Sequence, residues 1–171
     1  MAKYVIRQGS HRALPFSLGV YIDKKVMTRN VTFHPDCRYD LGNENQQDWN
    51  KLFGLGYLWS LHTDSARFAW RYNKEKDCIE IAAYAYVDGE RIMEYICNIQ
   101  IGHTYTLSLD VTESRYTFTV NWGIVTMGQE EVLKNRSKII SYKLGLYFGG
   151  NEVAPHEMHV TIDRVATLEG L

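Results

Sequence analysis

Apolar and polar residues alternate with a period of two over long parts of the chain, most regularly between residues 52 and 98. Residues that favour turns interrupt this alternation at Thr63-Asp64, across residues 73–77 and at Asp88-Gly89. Successive side chains of a strand point to opposite faces of the sheet. The pattern therefore predicts a four-stranded antiparallel meander with one apolar face and one polar face.

If the turns are tight, the register assigns every side chain of the meander to one of these faces. The apolar face collects Leu55, Tyr57, Trp59, Leu61, Ala66, Phe68, Trp70, Tyr72, Ile79, Ile81, Ala83, Ala85, Ile92 and Ile96. The polar face collects Gly56, Ser60, His62, Arg67, Arg71, Glu80, Tyr84, Tyr86, Arg91 and Tyr95, with Ala69 and Ala82 between them. The same register puts Glu94 on the apolar face opposite Ala83, so we expect either a bulge after Arg91 or a position for Glu94 at the sheet margin.

Three other segments alternate in the same way. Residues 104–122 predict a hairpin in which apolar residues face each other, Tyr105, Leu107, Leu109 and Val111 against Trp122, Val120, Phe118 and Tyr116. Residues 14–20 alternate around Pro15, which is typical of an edge strand or a strand start. Residues 140–148 alternate, with Ile140, Tyr142, Leu144, Leu146 and Phe148 on the apolar face and Ser141, Lys143, Gly145 and Tyr147 on the other. A closing strand follows, and its inward side chains are Met158, Val160 and Ile162.

The remaining segments are polar. Residues 1–12 predict an N-terminal arm or a first edge strand, and residues 40–50 a surface loop. Residues 129–134 predict a helix-like turn between the two sheets. About ten short strands with almost no amphipathic helix indicate an all-β fold, an antiparallel β-sandwich of jelly-roll type. A length of 171 residues fits a single domain over residues 1–171.

Composition narrows the function classes. A formal net charge of -1 and a pI near 6.6 argue against nucleic acid as a partner. No apolar run approaches the ~20 residues of a membrane helix, and the N-terminus MAKYVIRQGS lacks the apolar core of a signal peptide, so we expect no membrane insertion and leave the localisation open. Cys37, Cys78 and Cys97 lack CxxC spacing and are interpreted as reduced, structural thiols.

The arrangement of strands resembles the concanavalin A-like lectin/glucanase superfamily, in which two curved sheets pack together and the concave sheet carries the ligand. The late strand SYKLGLYFGGN is similar to a strand near the C-terminus of the family 7 alginate lyases. That resemblance implies a groove with an arginine, a glutamine–histidine pair and a tyrosine, and Arg67 or Arg71 and Tyr147 match two of these. The Gln-x-His strand is missing, because Gln100 is followed by Ile101 and Gly102 and His103 lies one step too far.

Other catalytic and metal-binding patterns are weak, and no catalytic residue is assigned. Glucanase chemistry needs two carboxylates about 5 to 9 Å apart, whereas Glu80 is the sole carboxylate on the polar face and is predicted to pair with Arg71 across the strands. No two of the histidines His62, His156 and His159 lie on the same face of a strand at the spacing that a metal site needs. No cofactor is predicted; a structural calcium ion stays open at the oxygen-bearing residues Asn43, Glu44, Asn45, Asp48, Asn151 and Glu152.

The polar face of the meander is predicted to recognise a ligand. Flat tyrosine rings beside planar arginine donors suit a sugar ring, and an acidic sugar in particular. The predicted ligand-binding residues are Ser60, His62, Arg67, Arg71, Glu80, Tyr84, Tyr86, Arg91 and Tyr147. The leading hypothesis is a non-catalytic, lectin-like module that binds a glycan or polysaccharide. The alternatives are a structural or assembly protein, such as a homo-oligomeric virion or cell-surface component whose tyrosines and arginines form an interface, and a polysaccharide lyase or glycoside hydrolase.

Overall fold

The computed structural model describes residues 2–57, 62–134 and 139–165. These residues form thirteen strands, β1 (Lys3–Ile6), β2 (Ala13–Leu14), β3 (Val20–Ile22), β4 (Val26–Phe33), β5 (Asn50–Tyr57), β6 (Ser65–Asn73), β7 (Cys78–Val87), β8 (Glu90–Ile99), β9 (Thr104–Val111), β10 (Arg115–Trp122), β11 (Val125–Leu133), β12 (Ile140–Leu144) and β13 (Met158–Arg164). Two short 3-10 turns, Pro35–Cys37 and Glu44–Gln47, precede β5. The predicted antiparallel β-sandwich of jelly-roll type is confirmed.

The strands form two sheets. The seven-stranded sheet has the order β11-β10-β9-β4-β13-β1-β2, and the six-stranded sheet has the order β3-β12-β5-β6-β7-β8. The predicted meander is confirmed as β5 to β8, four consecutive strands of the six-stranded sheet. The hairpin of β9 and β10 is also confirmed, with Leu109 opposite Phe118 and Leu107 opposite Val120.

The core lies between the sheets, on the face of the meander that the alternation predicts. Its buried side chains from the meander include Leu55, Tyr57, Ala66, Phe68, Trp70, Ile79, Ile81, Ala83 and Ala85. Burying a large apolar side chain stabilises the fold by about 1.5–3 kcal/mol, so this face is fixed by many such contributions. Tyr72, Ile92 and Ile96 are partly buried at its margin, and Trp59 and Leu61 lie outside the described residues.

The edge strand β8 resolves the position of Glu94. Glu94 pairs with Ala83 as the register predicts, and it is exposed because β8 is the last strand of its sheet. The pairing stays regular from Arg91 to Tyr95, and the register shifts only beyond Tyr95, opposite the step from Ile81 to Ala82. The bulge therefore follows Tyr95 rather than Arg91, and Glu94 lies at the sheet margin.

Two predictions for polar segments are wrong. Residues 129–134 lie mostly in β11, an edge strand paired with β10, and not in a helix-like turn. The polar run resembled a helix, but an edge strand has a solvated face that accepts such residues, and Arg115 holds Glu131 across the strands at 2.7 Å. Lys3–Ile6 is neither an arm nor an edge, because it lies between β13 and β2 inside its sheet.

The alternation predicted for residues 140–148 is wrong in its first half. Tyr142 pairs with Gly56 and lies on the polar face, whereas Ser141 is buried between the sheets. The phase changes after β12 ends at Leu144, so that Leu146 and Phe148 still reach the core. A Cβ at Gly56 would lie 2.5 Å from the Tyr142 ring, so the glycine makes room for this tyrosine.

All three cysteines are buried and free. Burial raises the pKa of the Cys97 thiol to about 11, which keeps it protonated at neutral pH. No helix among the described residues has the length and apolar character needed to cross a bilayer.

Candidate functional site

A cavity of about 900 Å³ extends from the polar face of the six-stranded sheet into the space between the two sheets. Its lining on this face includes Lys51, His62, Arg67, Tyr84, Tyr142 and Tyr147. Ligand pockets of small molecules usually enclose about 300–1,000 Å³. Four of the predicted site residues, His62, Arg67, Tyr84 and Tyr147, are therefore brought together in a space large enough for a ligand.

Arg67 occupies the centre of this face. It is the direct cross-strand partner of Tyr84, and its guanidinium carbon lies 5.1 Å from the centroid of the Tyr84 ring. Only 8% of Arg67 is exposed, and its Nε has no hydrogen-bond partner among the described residues. Burial lowers the pKa of Arg67, although the nearby tyrosines Tyr84 and Tyr86 oppose this. A buried donor without a partner costs about 1–3 kcal/mol, which a ligand accepting from Nε would offset.

Lys51 adds a second cation beside the same ring. Its Nζ lies 5.1 Å from the Tyr84 centroid and donates to the Trp49 carbonyl oxygen at 2.6 Å. Burial and the charge of Arg67 lower the pKa of Lys51 to about 8. None of the ion pairs between described residues includes Lys51 or Arg67. The cavity floor is therefore electropositive, with two cations that lack a carboxylate in contact.

Sequence reasoning missed Lys51 because of a bulge in β5. Lys51 pairs with Ala69 and Gly54 pairs with Arg67, so β5 has one residue more than β6 between these pairs. The extra residue lets both Leu52 and Phe53 reach the core while Lys51 stays on the polar face. Two adjacent apolar residues in an alternating strand were the signal that could have revealed it.

Two tyrosines of the late strand close one side of the cavity. Tyr142, which sequence reasoning placed on the apolar face, has its pKa raised by burial and lowered in part by the charge of Arg67. Tyr147 stacks on His11, with ring centroids 5.1 Å apart and planes 4° apart. Its backbone bridges to both Arg12 and Lys51, which fixes the backbone of Tyr147 beside β5.

Tyr86, with its ring neighbours His62 and Tyr84, lies at the margin of this face. The Tyr86 ring lies edge-on to His62 at 5.1 Å and to Tyr84 at 5.9 Å. Burial raises the pKa of Tyr86. Arg91 pairs with Tyr86 on the edge strand and is exposed. Neither Tyr86 nor Arg91 lines the cavity, and Ser60 lies outside the described residues.

Arg71 and Glu80 form the predicted ion pair below the cavity. Arg71 Nε donates to Glu80 Oε2 at 2.6 Å, and the Asn73 amide donates to Glu80 Oε1 at 2.7 Å. Burial acts to raise the pKa of Glu80, but the hydrogen bonds from Asn73 and Arg71 outweigh it and leave the pKa lowered. Arg71 also lies over the Trp49 ring at 4.4 Å and donates to the Gln47 carbonyl oxygen. Neither partner lines the cavity, so the pair supports the strands and the loop before β5.

The oxygen-bearing loop residues make contacts with each other. The amides of Asn43 and Asn45 both donate to Glu152 Oε1, at 3.4 and 3.0 Å. Within residues 2–57, 62–134 and 139–165, no three His, Cys, Asp or Glu side chains are grouped so that they could hold a metal ion. Calcium binding by this loop stays a prediction.

No protein-family profile matches the sequence, and no characterised protein matches it in sequence. In structure, the chain is similar to an alginate lyase from Klebsiella pneumoniae, with a TM-score of 0.60 and 11% identity over 82% of this chain. It spans 58% of that lyase chain. It is also similar to the carbohydrate-binding module CBM66 from Bacillus subtilis, with a TM-score of 0.38 and 9% identity over 89% of this chain and 77% of the module.

A third similar structure is the kappa-carrageenase from Pseudoalteromonas carrageenovora, with a TM-score of 0.39 and 8% identity over 95% of this chain and 80% of the enzyme. At these identities the likeness concerns the fold alone. The likeness to the lyase shows that this chain shares its β-sandwich fold.

Proposed function

We propose that the protein binds an acidic glycan in the cavity on the polar face of the six-stranded sheet. The observation that carries this proposal is the pair of cations, the buried Arg67 and the partly buried Lys51, each 5.1 Å from the centroid of the Tyr84 ring and with no carboxylate paired to it among the described residues. A carboxylate or sulfate between them would accept charge-assisted hydrogen bonds, which are the stronger ones. It would also provide the acceptor that Arg67 Nε lacks.

The aromatic side chains support a sugar as the carrier of that charge. Tyr84, Tyr142 and Tyr147 line the cavity and combine an apolar ring with a hydroxyl. A sugar ring likewise has an apolar face and a rim of hydroxyl groups, so the two surfaces complement each other. The alginate lyase of similar fold is named for a polyuronate, which agrees with this class of ligand.

Binding without catalysis is the leading proposal because the groups of the lyase pattern are incomplete. Gln100 and His103 do not form a Gln-x-His strand, and neither residue lines the cavity. Glu80 is held by Arg71 and Asn73, away from the cavity.

Isothermal titration calorimetry with alginate oligosaccharides, and with neutral cello-oligosaccharides of equal length, tests the proposal. We expect saturable binding of the acidic series only, and a loss of about tenfold or more in affinity for Arg67→Gln and for Tyr84→Ala. Arg115→Gln is the matched control, because Arg115 is an exposed arginine on the other sheet. Absence of binding to any acidic glycan, or equal affinity in all three variants, would overturn the proposal.

A polysaccharide lyase is the second candidate, and it is favoured by one observation. Lys51 has a pKa of about 8, so at pH 8 about half of it is a neutral amine that can accept a proton. With the uronate carboxylate held by Arg67, Lys51 could take the C5 proton while the C4–O bond breaks and a tyrosine hydroxyl protonates the leaving oxygen. Ultraviolet absorbance of unsaturated uronates, measured at pH 8 with Lys51→Met as control, tests it; no absorbance with any polyuronate would exclude this candidate.

A further inference from the structure

The cavity has a second part that the glycan site does not use. Beyond β12 its lining continues into the space between the two sheets, where it includes Met27, Leu52, Phe53 and Ile162. All of these side chains are buried and belong to the core. This part, which we call the inter-sheet end of the cavity, is therefore backed by apolar core side chains that expose little surface themselves.

Two arginines face each other at the inter-sheet end. Arg29 of β4 and Arg164 of β13 are direct cross-strand partners, and both line the cavity. Arg29 follows Met27 by two residues and Arg164 follows Ile162 by two, so both continue the core-facing side of their strands. Like charges directly opposite each other destabilise a sheet. Burial lowers the pKa of Arg29, and the charge of Arg164 acts in the same direction while Tyr21 and Tyr4 oppose it.

A third cation reaches the same place from the other sheet. Lys143 lies on β12 two residues after the buried Ser141, so it points between the sheets. Its Nζ lies 5.9 Å from the centroid of the Tyr4 ring and donates to Ser17 Oγ at 2.5 Å. None of the ion pairs between described residues includes Arg29, Arg164 or Lys143.

One acidic residue shares the lining. Asp163 lines the cavity, and its Oδ1 accepts a hydrogen bond from the Ala2 backbone nitrogen at 2.5 Å. Three cations against this one carboxylate leave the inter-sheet end positively charged.

The mouth of the inter-sheet end is apolar as well. The segment from Pro15 to Leu18 crosses from β2, at the edge of one sheet, to β3, at the edge of the other, and it lines the cavity. Within it, Phe16 is 63% exposed and Leu18 is 83% exposed. Large apolar side chains exposed at the rim of a cavity are typical of sites that bind apolar groups.

We propose that the inter-sheet end of the cavity binds an anionic amphiphile of the fatty-acid class. The carboxylate lies between Arg29 and Arg164, and the alkyl chain contacts the exposed side chains of Phe16 and Leu18 at the mouth. The head group relieves the repulsion between the two arginines, and the chain removes apolar cavity surface from water. A glycan does not suit this end, because its hydroxyl groups would face the apolar side chains of Phe16 and Leu18. This proposal does not rest on the glycan proposed for the part of the same cavity on the polar face.

Calorimetric titration with decanoate tests the proposal. Two related compounds separate the contributions of the head group and the alkyl chain. Acetate has the carboxylate without the chain, and decyltrimethylammonium has the chain with the opposite charge. We expect decanoate to bind at least about tenfold more tightly than either. Arg29→Gln and Arg164→Gln should each weaken decanoate binding about tenfold, while the exposed Arg115→Gln and the glycan-site variant Arg67→Gln leave it unchanged.

Several outcomes would overturn this site. They are no saturable binding of decanoate to the wild type, acetate binding as tightly as decanoate, decyltrimethylammonium binding as tightly as decanoate, or decanoate affinity that is unchanged in both Arg29→Gln and Arg164→Gln. A loss in Arg115→Gln as large as in those variants would show a nonspecific charge effect. Arg164 is exposed, so its variant is expected to fold and keeps the test decisive if Arg29→Gln does not.

Discussion

Arg67 and Tyr84 are direct cross-strand partners, and the guanidinium of Arg67 lies over the Tyr84 ring at 5.1 Å while only 8% of the arginine is exposed. A cation over an aromatic ring gains about 0.5–2 kcal/mol, whereas removing a charge from water without an ion-pair partner costs several kcal/mol. The arrangement is therefore better suited to holding an anion than to stabilising the sheet.

The first prediction concerns the stability of Arg67→Met. The substitution replaces a buried, desolvated cation with an apolar side chain that keeps part of the volume and leaves no donor unpaired. We expect the free energy of unfolding to stay equal or rise by about 1 kcal/mol, while binding of acidic glycans is lost. Urea denaturation of both proteins without ligand measures this. A loss of stability above about 2 kcal/mol would mean that Arg67 is a structural residue.

The second prediction concerns pH. Lys51 has its pKa lowered from 10.5 to about 8 in the folded protein, so burial penalises its protonated form. This penalty is complete below about pH 8 and disappears as pH rises towards the unfolded value. We expect Lys51→Met to be more stable than the wild type at pH 7, with a difference that shrinks by about 2–3 kcal/mol by pH 10. Urea midpoints across this range measure it, and a difference that does not vary with pH would contradict the lowered pKa.

The third prediction compares two glycines of β5. An added Cβ at Gly54 would lie 2.1 Å from the Ala66 backbone oxygen, whereas one at Gly56 would meet the Tyr142 ring at 2.5 Å. Backbone cannot give way as a side chain can, so we expect Gly54→Ala to cost about 2 kcal/mol or more and Gly56→Ala to cost less. Gly56→Ala should instead displace Tyr142 and weaken glycan binding.

Thermal denaturation and calorimetry separate these two effects. Gly89→Ala is a useful control, since Gly89 has a φ of +89° and an added Cβ would meet nothing within 4 Å, so its cost is backbone strain alone. Equal losses for Gly54→Ala and Gly89→Ala would contradict the steric argument.

The fourth prediction separates Glu80 from the ligand site. Glu80→Gln removes the charge that pairs with Arg71 and accepts from Asn73. We expect a loss of about 1–3 kcal/mol in the free energy of unfolding, with glycan affinity unchanged because Glu80 does not line the cavity. Chemical denaturation and calorimetry on the same sample measure both quantities. A tenfold change in glycan affinity without a change in the free energy of unfolding would show that Glu80 is a ligand-binding residue.

The sequence predicted the meander because its tight turns keep the alternation in step. Asp88 and Gly89 both adopt positive φ, which their residue types tolerate, and the hairpin of β7 and β8 starts in the predicted register. Arg67, Tyr84 and their cross-strand contact followed directly from that register. The ion pair of Arg71 and Glu80 followed from it in the same way.

The sequence failed where pairing partners are distant along the chain or where the alternation breaks. Tyr142 pairs with Gly56, more than eighty residues earlier, and no local pattern shows which of its faces meets that strand. Lys51 was missed because the bulge before Gly54 changes the phase. The edge strand β11 resembled a helix because an exposed strand needs few apolar residues.

The bulge in β5 also affects how relatives of this chain could be recognised. Lys51 and Gly54 share the polar face although they are three positions apart, whereas in a regular strand residues on one face are two positions apart. A homologue with a regular β5 would carry the equivalent cation two residues before the glycine. An alignment would therefore need a one-residue gap inside this strand to match Lys51 with the equivalent cation of the homologue. Without the gap, the homologue's cation would be aligned with the core residue Leu52.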